Sequence, residues 1–200
     1  MSAYRSILFD LGNVLVRFDP VHFWTHLGIE DVARQQEVKP LMLDLGRLYE
    51  SGTIPTHEFR RRFSALFEGR YSDDQLNDAF LAVLPDQTAG TEDLVKRVGK
   101  HYELALVSNT NPIHFELCLR TTPALKHFDR FYVSYELGAL KPHADFYAGV
   151  VNGEDAEPQK MIFIDDLEEN VDGARTAGFT GIQFTDAENL EKDLIELGIL

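Results

Sequence analysis

The segment "SILFDLGNVLVRFD", Ser6 to Asp19, gives the first indication of the fold of this protein. Four mostly apolar residues, Ser6–Phe9, lead directly into an acid, Asp10, and then into Gly12 and Asn13. A short, continuous apolar run that ends in a turn is typical of a strand buried on both faces of a sheet. In such sheets, ligands bind beyond the carboxyl ends of the strands. Asp10 is therefore a candidate functional carboxylate.

Four further apolar runs of the same kind follow along the chain. They are β-branched or aromatic, continuous rather than alternating, and mostly separated by segments with helical periodicity. This pattern predicts an α/β fold, in which a parallel, Rossmann-like sheet carries helices on both faces. The predicted strands are Ser6–Phe9, Leu104–Val107, Phe131–Ser134, Met161–Ile164 and Gly181–Phe184.

The segments between these runs have readable helix ends. "TEDLVKRVGK" is predicted to begin on Thr91 as a capping residue, and its apolar residues recur at helical spacing. "EENVDGARTAG" is predicted to end at Gly178, since glycine commonly follows the last turn of a helix.

The region after the first strand has a different character. It shows helical patterns and no convincing strand, and Phe59, Phe63, Leu66 and Phe67 mark one amphipathic face. This predicts a small helical domain inserted into the α/β core. The predicted domains are a core of residues 1–17 and 90–200 and an insert of residues 18–89.

Composition limits the classes of function. A chain of 200 residues suffices for one core domain with a small insert. The net charge of −14 argues against nucleic acid as a partner, because that role calls for clustered Lys and Arg. No window is apolar enough for a membrane span, and Asp10 interrupts the first apolar run, so neither a membrane segment nor a secretory signal is expected. The single cysteine, Cys118, is predicted to be a small core residue and agrees with a cytoplasmic location.

Polar residues follow four of the predicted strands. They are Asp10, Ser108–Asn109, the loop that leads to Lys141, and Asp165–Asp166. Each alone has an ordinary structural interpretation: a strand-end Asp often forms a turn, and an acidic pair is favoured in the first turn of a helix. Their convergence from four strand ends instead favours a functional site.

The same residues carry a resemblance to a known family. The chain resembles the haloacid dehalogenase (HAD) superfamily, most of whose members are Mg²⁺-dependent phosphatases, at "FDLGNVLV", "LVSNTN", "SYELGALKP" and "FIDDLEENVDGARTAGF". The order and spacing agree over almost the full length, and the helical insert stands where the family has its helical cap. "FDLGNVL" is similar to a branch that includes sugar-phosphate phosphatases, among them glucose-1-phosphate phosphatase.

The resemblance implies a role for each of these residues. Asp10 would be the nucleophile that forms an aspartyl-phosphate on a small phosphomonoester, and Asn170 would support the loop behind the site. The phosphate-binding residues would be Ser108, Asn109 and Lys141, with Ser108 and Lys141 also assisting catalysis. The Mg²⁺ ligands would be Asp10, the carbonyl of Gly12 and Asp166, with Asp165 either a ligand or an acceptor behind the ligands.

Gly12 departs from the usual pattern. Many phosphatases of the superfamily carry a second Asp at this position, which protonates the leaving alcohol and then activates water. Substrates with acidic leaving groups, such as sugar 1-phosphates or acyl phosphates, depend least on that acid. Asp19 could replace it, although a helix cap is the simpler interpretation.

Three classes of function therefore remain open: a phosphatase with another proton source, a 2-haloacid dehalogenase, and a binding protein without turnover. The Asp165–Asp166 pair argues against a dehalogenase, which needs no Mg²⁺. The retention of Asp10, Ser108 and Lys141 argues against the loss of catalysis.

The remaining expectations concern the turn and the insert. The family usually has Gly where this chain has Asn13, and Asn tolerates positive φ well enough to preserve the turn. A small cap favours a small phosphomonoester over a macromolecule, and a monomer or homodimer is expected. The candidates for substrate selection at the tip of the insert are Phe18, His22, Trp24, Arg47 and Glu50.

Overall fold

Within residues 3–154 and 156–200, which are the residues that the computed structural model describes, five parallel strands form one sheet. The spatial order is β3-β2-β1-β4-β5, which confirms the predicted parallel α/β sheet. Ser134, predicted to end a strand, instead begins a helix, and Phe184 lies just after the last strand. The strands are β1 (Ser6–Phe9), β2 (Glu103–Ser108), β3 (Arg130–Val133), β4 (Met161–Asp165) and β5 (Thr180–Gln183).

Ten α-helices lie in the same described residues. They are α1 (Val21–His26), α2 (Val32–Glu50), α3 (Thr56–Ala65), α4 (Asp73–Ala82), α5 (Thr91–Val98), α6 (Pro112–Thr121), α7 (Ser134–Leu137), α8 (Ala144–Gly153), α9 (Glu168–Thr176) and α10 (Ala187–Glu196). Among the residues described, no helix is both long and apolar enough to cross a lipid bilayer.

Helices cover both faces of the sheet, as the continuous apolar runs predict. Successive residues of β1 point to opposite faces, so Ile7 and Phe9 belong to one buried cluster and Leu8 to another. The first cluster includes apolar residues of α5, α6 and α10, among them the buried Cys118, and the second includes residues of α8 and α9. Burial on both faces explains why these strands lack polar alternation.

The start of α5 differs from the prediction. Gly90, at φ 81°, precedes the helix, and Thr91 is its first residue rather than its cap. A Cβ atom at position 90 would lie 2.9 Å from the Cβ of Ala187, so close packing and the left-handed backbone both favour glycine there. The Thr91 hydroxyl is buried without a hydrogen-bond partner among the described residues. Thr91 is therefore not the capping residue.

Helices α1 to α4 enclose an aromatic cluster of their own. The rings of Tyr49 and Phe59 stack with centroids 4.3 Å apart, and Phe59 stacks on Phe63 at 5.2 Å. Phe23 and Phe67 are also buried in this cluster. The predicted amphipathic face of α3 therefore packs inside the insert rather than on the sheet.

The two chain segments that join the insert to the core pair with each other. Val16 forms an antiparallel bridge with Gln87, and the N–H of Thr88 donates to the carbonyl of Leu15 at 3.0 Å. The N–H of Asp19 donates to the carbonyl of Val83 at 2.8 Å. The predicted boundaries lie beside this paired segment, and the division into domains stays a prediction. Met1, Ser2 and Asp155, which the predicted core includes, lie outside the described residues.

The insert contacts the segments at the carboxyl edge of the sheet. The ring of His114 on α6 stacks on Phe80 of α4 with centroids 4.1 Å apart. After the end of α2, a side chain at Gly52 would collide with the carbonyl of Tyr135 on α7. The insert therefore rests on the segments that follow β2 and β3.

Candidate active site

Asp10 is fixed at the carboxyl end of β1 by its own backbone. Its N–H donates to the carbonyl of Ile164 at 2.9 Å, which extends the pairing of β1 with β4, and its carboxylate accepts the N–H of Leu11 at 2.7 Å. The next turn is closed by Asn13, whose φ is 54° and whose N–H donates to the carbonyl of Val16 at 2.7 Å. The positive φ at Asn13 confirms that asparagine preserves this turn. Asp10 is 7% exposed, so its carboxylate is held almost without water.

Lys141 lies between two buried carboxylates. Its Nζ is 2.9 Å from Oδ1 of Asp10 and 2.6 Å from Oδ2 of Asp165, and it also donates to the carbonyl of Val107 at 3.0 Å. The side-chain amide of Asn109 accepts the N–H of Lys141 at 2.9 Å and donates to its carbonyl at 3.1 Å. Both ends of this lysine are therefore fixed, and its ammonium faces Asp10.

The two neighbouring acids have different surroundings. Asp165 is fully buried, and besides Lys141 its carboxylate accepts the N–H of Leu167 and the side-chain amide of Asn170, each at 2.9 Å. Asp166 is partly exposed and accepts one hydrogen bond from the Asn13 amide at 2.9 Å. Asp165 thus has three donors on two oxygens and no exposure to solvent, whereas Asp166 is partly exposed.

The site holds more negative than positive charge. Oxygen atoms of Asp10, Asp165 and Asp166 lie within 4.8 Å of one another, and one ammonium, that of Lys141, faces this cluster. Burial raises the pKa of Asp10 to about 7, although the Lys141 ammonium acts in the opposite direction. Burial also raises the pKa of Asp166 above its ordinary value. Burial opposes the charge of Lys141, yet the carboxylates of Asp10 and Asp165 raise its pKa. Such an excess of buried carboxylate favours a bound cation.

Gly12 follows the strand-end acid in a turn that uses neither its carbonyl nor the space of a side chain. The bridge between Gly12 and Val16 uses the groups of its neighbours: the N–H of Val16 donates to Leu11 and the N–H of Asn13 to Val16. The carbonyl of Gly12 takes no part in this bridge. A Cβ atom at position 12 would meet no atom within 4 Å, and its φ lies outside the left-handed region. The glycine is therefore not required by packing or backbone strain.

Ser108 and Asn109 end β2 beside Lys141. Ser108 is 1% exposed, and its hydroxyl has a long contact of 3.4 Å with the carbonyl of Asn109. A contact of that length is weak, so the hydroxyl can turn toward a ligand. The side chain of Asn109 is occupied by Lys141, as described above. The loop continues to Thr110, whose backbone exchanges two hydrogen bonds of 3.0 Å with the hydroxyl of Ser134.

The insert candidates fall into distinct environments. The Asp19 carboxylate accepts the N–H of Val21, the first residue of α1, at 3.0 Å, although the cap position of that helix is Pro20. Trp24 packs against the aromatic cluster, and His22 is exposed. Burial raises the pKa of Glu50 to about 7, and the nearby Arg47 acts in the opposite direction.

The structure brings most of the predicted site residues together through direct contacts. Asp10, Lys141 and Asp165 form one ion-paired group, Asp166 joins its carboxylate cluster, Asn109 bonds to Lys141, and Asn170 bonds to Asp165. The side chain of Asn13 also belongs to this group, although the sequence predicts only a turn at this residue. The signal that could have identified the role of this side chain is its amide, which has both a donor group and an acceptor and lies three residues after the strand-end acid.

Known proteins resemble this chain over most of its length. The family model "haloacid dehalogenase-like hydrolase" matches residues 4–178. The D-ribitol-5-phosphate phosphatase of Bacteroides thetaiotaomicron is 25% identical over 188 residues, which cover 90% of this chain and 91% of that protein. A HAD-like family hydrolase from Porphyromonas gingivalis is 29% identical with a TM-score of 0.81, and the match covers 98% of each chain.

A second solved structure holds ligands. A HAD family enzyme of Bacteroides thetaiotaomicron, in complex with magnesium and inorganic phosphate, is 26% identical with a TM-score of 0.79 over 92% of this chain and 95% of that one. The family match covers most of the chain, in agreement with the resemblance in the motifs. The chain belongs to the haloacid dehalogenase-like hydrolase family.

Proposed function

We propose that this protein is a Mg²⁺-dependent phosphatase that hydrolyses a small phosphomonoester, a sugar phosphate or similar, through an aspartyl-phosphate on Asp10. The observation that carries the proposal is the buried Asp10–Lys141–Asp165 group beside Asp166. The similarity to a D-ribitol-5-phosphate phosphatase and to an enzyme that binds magnesium and phosphate supports it.

The residues at the sheet edge fit a magnesium ion. Three carboxylates face one ammonium, and hard oxygen ligands are those that Mg²⁺ prefers. We assign Asp10, Asp166 and the carbonyl of Gly12 as ligands, and Asp165 as the acceptor that orients Lys141. When bound, the ion offsets the repulsion between these carboxylates and the phosphate dianion.

Asp10 acts as the nucleophile. Its carboxylate oxygen attacks phosphorus, the bond to the leaving oxygen breaks, and water later hydrolyses the aspartyl-phosphate to release phosphate. The ammonium of Lys141 favours the ionised form of Asp10 and can stabilise the charge that develops on the phosphoryl oxygens. The Ser108 hydroxyl donates to the same oxygens. The Asn109 side chain is hydrogen-bonded to the backbone of Lys141. Asn109 therefore contacts the phosphate through its backbone N–H.

The leaving group must receive its proton without an acid at position 12. A positioned general acid typically contributes about 10²–10⁴-fold, so substrates with acidic leaving groups are favoured. The insert, which rests on the segments that follow β2 and β3, acts as a cap over the edge of the sheet and selects the substrate. A cytoplasmic location and a monomeric or homodimeric state stay predictions from the sequence.

A phosphate-release assay tests this proposal. Sugar phosphates, polyol phosphates, nucleotides and acyl phosphates are offered with Mg²⁺ and with EDTA. We expect turnover that requires Mg²⁺ and that is lost in Asp10→Asn. The matched control is Asp78→Asn, which makes the same chemical change at an exposed position on α4.

The alternatives give different results in this assay. Absence of turnover on every phosphate ester would favour a binding protein that has kept the fold. Metal-independent release of halide from a 2-haloacid would favour a dehalogenase, in which Asp10 attacks carbon. The acidic cluster at Asp165 and Asp166 supports the phosphatase over the dehalogenase.

A further inference from the structure

The side chain of Asn13 connects the proposed metal site to the start of the insert. Its amide nitrogen donates to Oδ2 of Asp166 at 2.9 Å, and its amide oxygen accepts the backbone N–H of Phe18 at 3.0 Å. One short side chain therefore contacts both a proposed Mg²⁺ ligand and the segment that leads into the insert.

The linker itself shows why the contact with Phe18 matters. The N–H groups of Arg17 and Asp19 donate across to the returning linker, to Asp86 at 2.9 Å and Val83 at 2.8 Å. The N–H of Phe18, between them, points to the other side and donates to Asn13. Asn13 thus holds the linker on the side that faces the site.

Few residue types could replace Asn13. Its φ of 54° favours Gly, Asn and Asp. Glycine would supply neither hydrogen bond, and aspartate would place a second carboxylate against Asp166. Asparagine alone among the three combines the backbone conformation with a donor for the carboxylate and an acceptor for the N–H.

We propose that Asn13 is a positioning residue that couples Mg²⁺ binding at Asp166 to the position of the insert at Phe18. This inference rests on the proposed function, since it requires the metal site. The hydrogen bond holds one oxygen of Asp166 so that the other faces the ion. A bound ion restrains the carboxylate, the carboxylate restrains the amide, and the amide holds the Phe18 N–H. Because such coupling is reciprocal, fixing the insert strengthens Mg²⁺ binding by the same factor.

The first experiment uses the wild-type protein with Mg²⁺ alone. Thermal unfolding against Mg²⁺ concentration reports binding, and amide hydrogen exchange at single-residue resolution reports the linker. We expect Mg²⁺ to slow exchange at Phe18 by more than at Arg17 and Asp19, which are internal references because they bond to the opposite linker. General stabilisation by the metal would slow all three equally.

Three variants complete the test. Asn13→Gly keeps the positive φ and removes both hydrogen bonds, so we expect Mg²⁺ affinity to fall by about 10–100-fold and exchange at Phe18 to become insensitive to Mg²⁺. The matched control is Glu68→Gly. Glu68 lies on the insert and, like Asn13, is a non-glycine residue with a positive φ, here 57°. This variant should bind Mg²⁺ as the wild type does. In Asp166→Asn, we expect the N–H of Phe18 to stay protected from exchange, and its exchange rate should not change when Mg²⁺ is added.

The outcomes separate this inference from the function on which it rests. If Mg²⁺ stabilises the wild type but exchange at Phe18 follows its neighbours, or if Asn13→Gly keeps full Mg²⁺ affinity, the coupling is disproved while the metal site stands. If Mg²⁺ neither stabilises the wild type nor alters its hydrogen exchange, both the metal site and the coupling are disproved.

Discussion

At the scale of single residues, Gly12 sets the chemical limit of the site. It removes the usual acid, yet a side chain at this position would meet open space and no backbone strain. The absence of an acid is therefore not imposed by the fold, and the acid can be introduced.

The first prediction is that Gly12→Asp broadens the range of leaving groups. We expect kcat/KM to rise at least about tenfold for phosphates of weakly acidic alcohols and to change little for acyl phosphates, because a general acid helps most where the leaving group needs a proton. Gly12→Asn, of equal size but unable to supply that proton, is the control. A uniform change across all substrates would contradict the explanation.

The second prediction concerns Lys141, the positive group between Asp10 and Asp165. In Lys141→Met these buried carboxylates lose their partner, so we expect the free energy of unfolding at neutral pH to fall by roughly 3–5 kcal/mol and turnover to cease. The loss of stability should shrink as the pH is lowered, because protonation removes the repulsion. Urea unfolding between pH 4.5 and 8 measures both effects.

The control for Lys141 is Lys192→Met, which removes an exposed ion pair with Glu188. Exposed pairs contribute little, so no measurable change is expected. Equal effects of the two substitutions would show that burial is not the reason for the loss.

At the scale of secondary-structure elements, the sequence predicts most of the sheet but not the details of its edges. Strand positions follow from continuous apolar runs, because burial on both faces leaves little room for alternation. Thr91 shows the limit: the left-handed Gly90 and its contact with α10 decide how α5 begins, and neither is visible in local sequence.

The same limit applies to the site. Sequence places Asn109, Asp165 and Lys141 at one edge of the sheet, but not their pairing. The side chain of Asn109 bonds to the backbone of Lys141, far along the chain, and the ammonium of Lys141 donates to Asp165. Such partners depend on the three-dimensional approach of the loops.

The third prediction concerns the contact between α6 and α4. His114 is buried against Phe80, with Nε2 2.8 Å from its carbonyl and Nδ1 3.0 Å from the amide nitrogen of Asn111. Burial lowers the pKa of His114 from 6.5 to about 4, although the hydrogen bond to Phe80 acts in the opposite direction. Between these values the unfolded chain binds the proton more strongly, so stability falls as the pH drops from 6.5 toward 4, by roughly 3 kcal/mol.

His114→Phe keeps an aromatic ring on Phe80 and removes the titrating group. Its free energy of unfolding should decline less steeply than that of the wild type over the same pH interval, and the two slopes should agree near pH 8. Parallel curves throughout would contradict the assignment.

At the scale of the whole molecule, the two edges of the sheet are organised differently. The carboxyl edge concentrates unbalanced carboxylates, whereas at the amino edge Glu154 accepts hydrogen bonds from Ser6 at 2.7 Å, Arg130 at 2.6 Å and Tyr132 at 3.0 Å. The side chain of Glu154 is completely buried and fully paired, as a stabilising group should be.

The fourth prediction follows from this division. Glu154→Gln keeps the shape but weakens the charge-assisted bond to Arg130, so we expect a loss of roughly 1–3 kcal/mol in the free energy of unfolding. The Michaelis constant and turnover at saturating Mg²⁺ should stay unchanged, since the network lies at the edge away from Asp10. A selective loss of turnover without loss of stability would contradict a purely structural role.

The pairing of the two linkers has a consequence for how this architecture can evolve. The chain leaves the core and returns to it at a single place, where Val16 lies beside Gln87. A short turn could join these paired segments, and the entropic cost of closing the excursion between them rises only slowly with its length. We therefore expect that the excursion can be exchanged, enlarged or shortened without altering the register of β1, which keeps Asp10 in place while the surface above it changes.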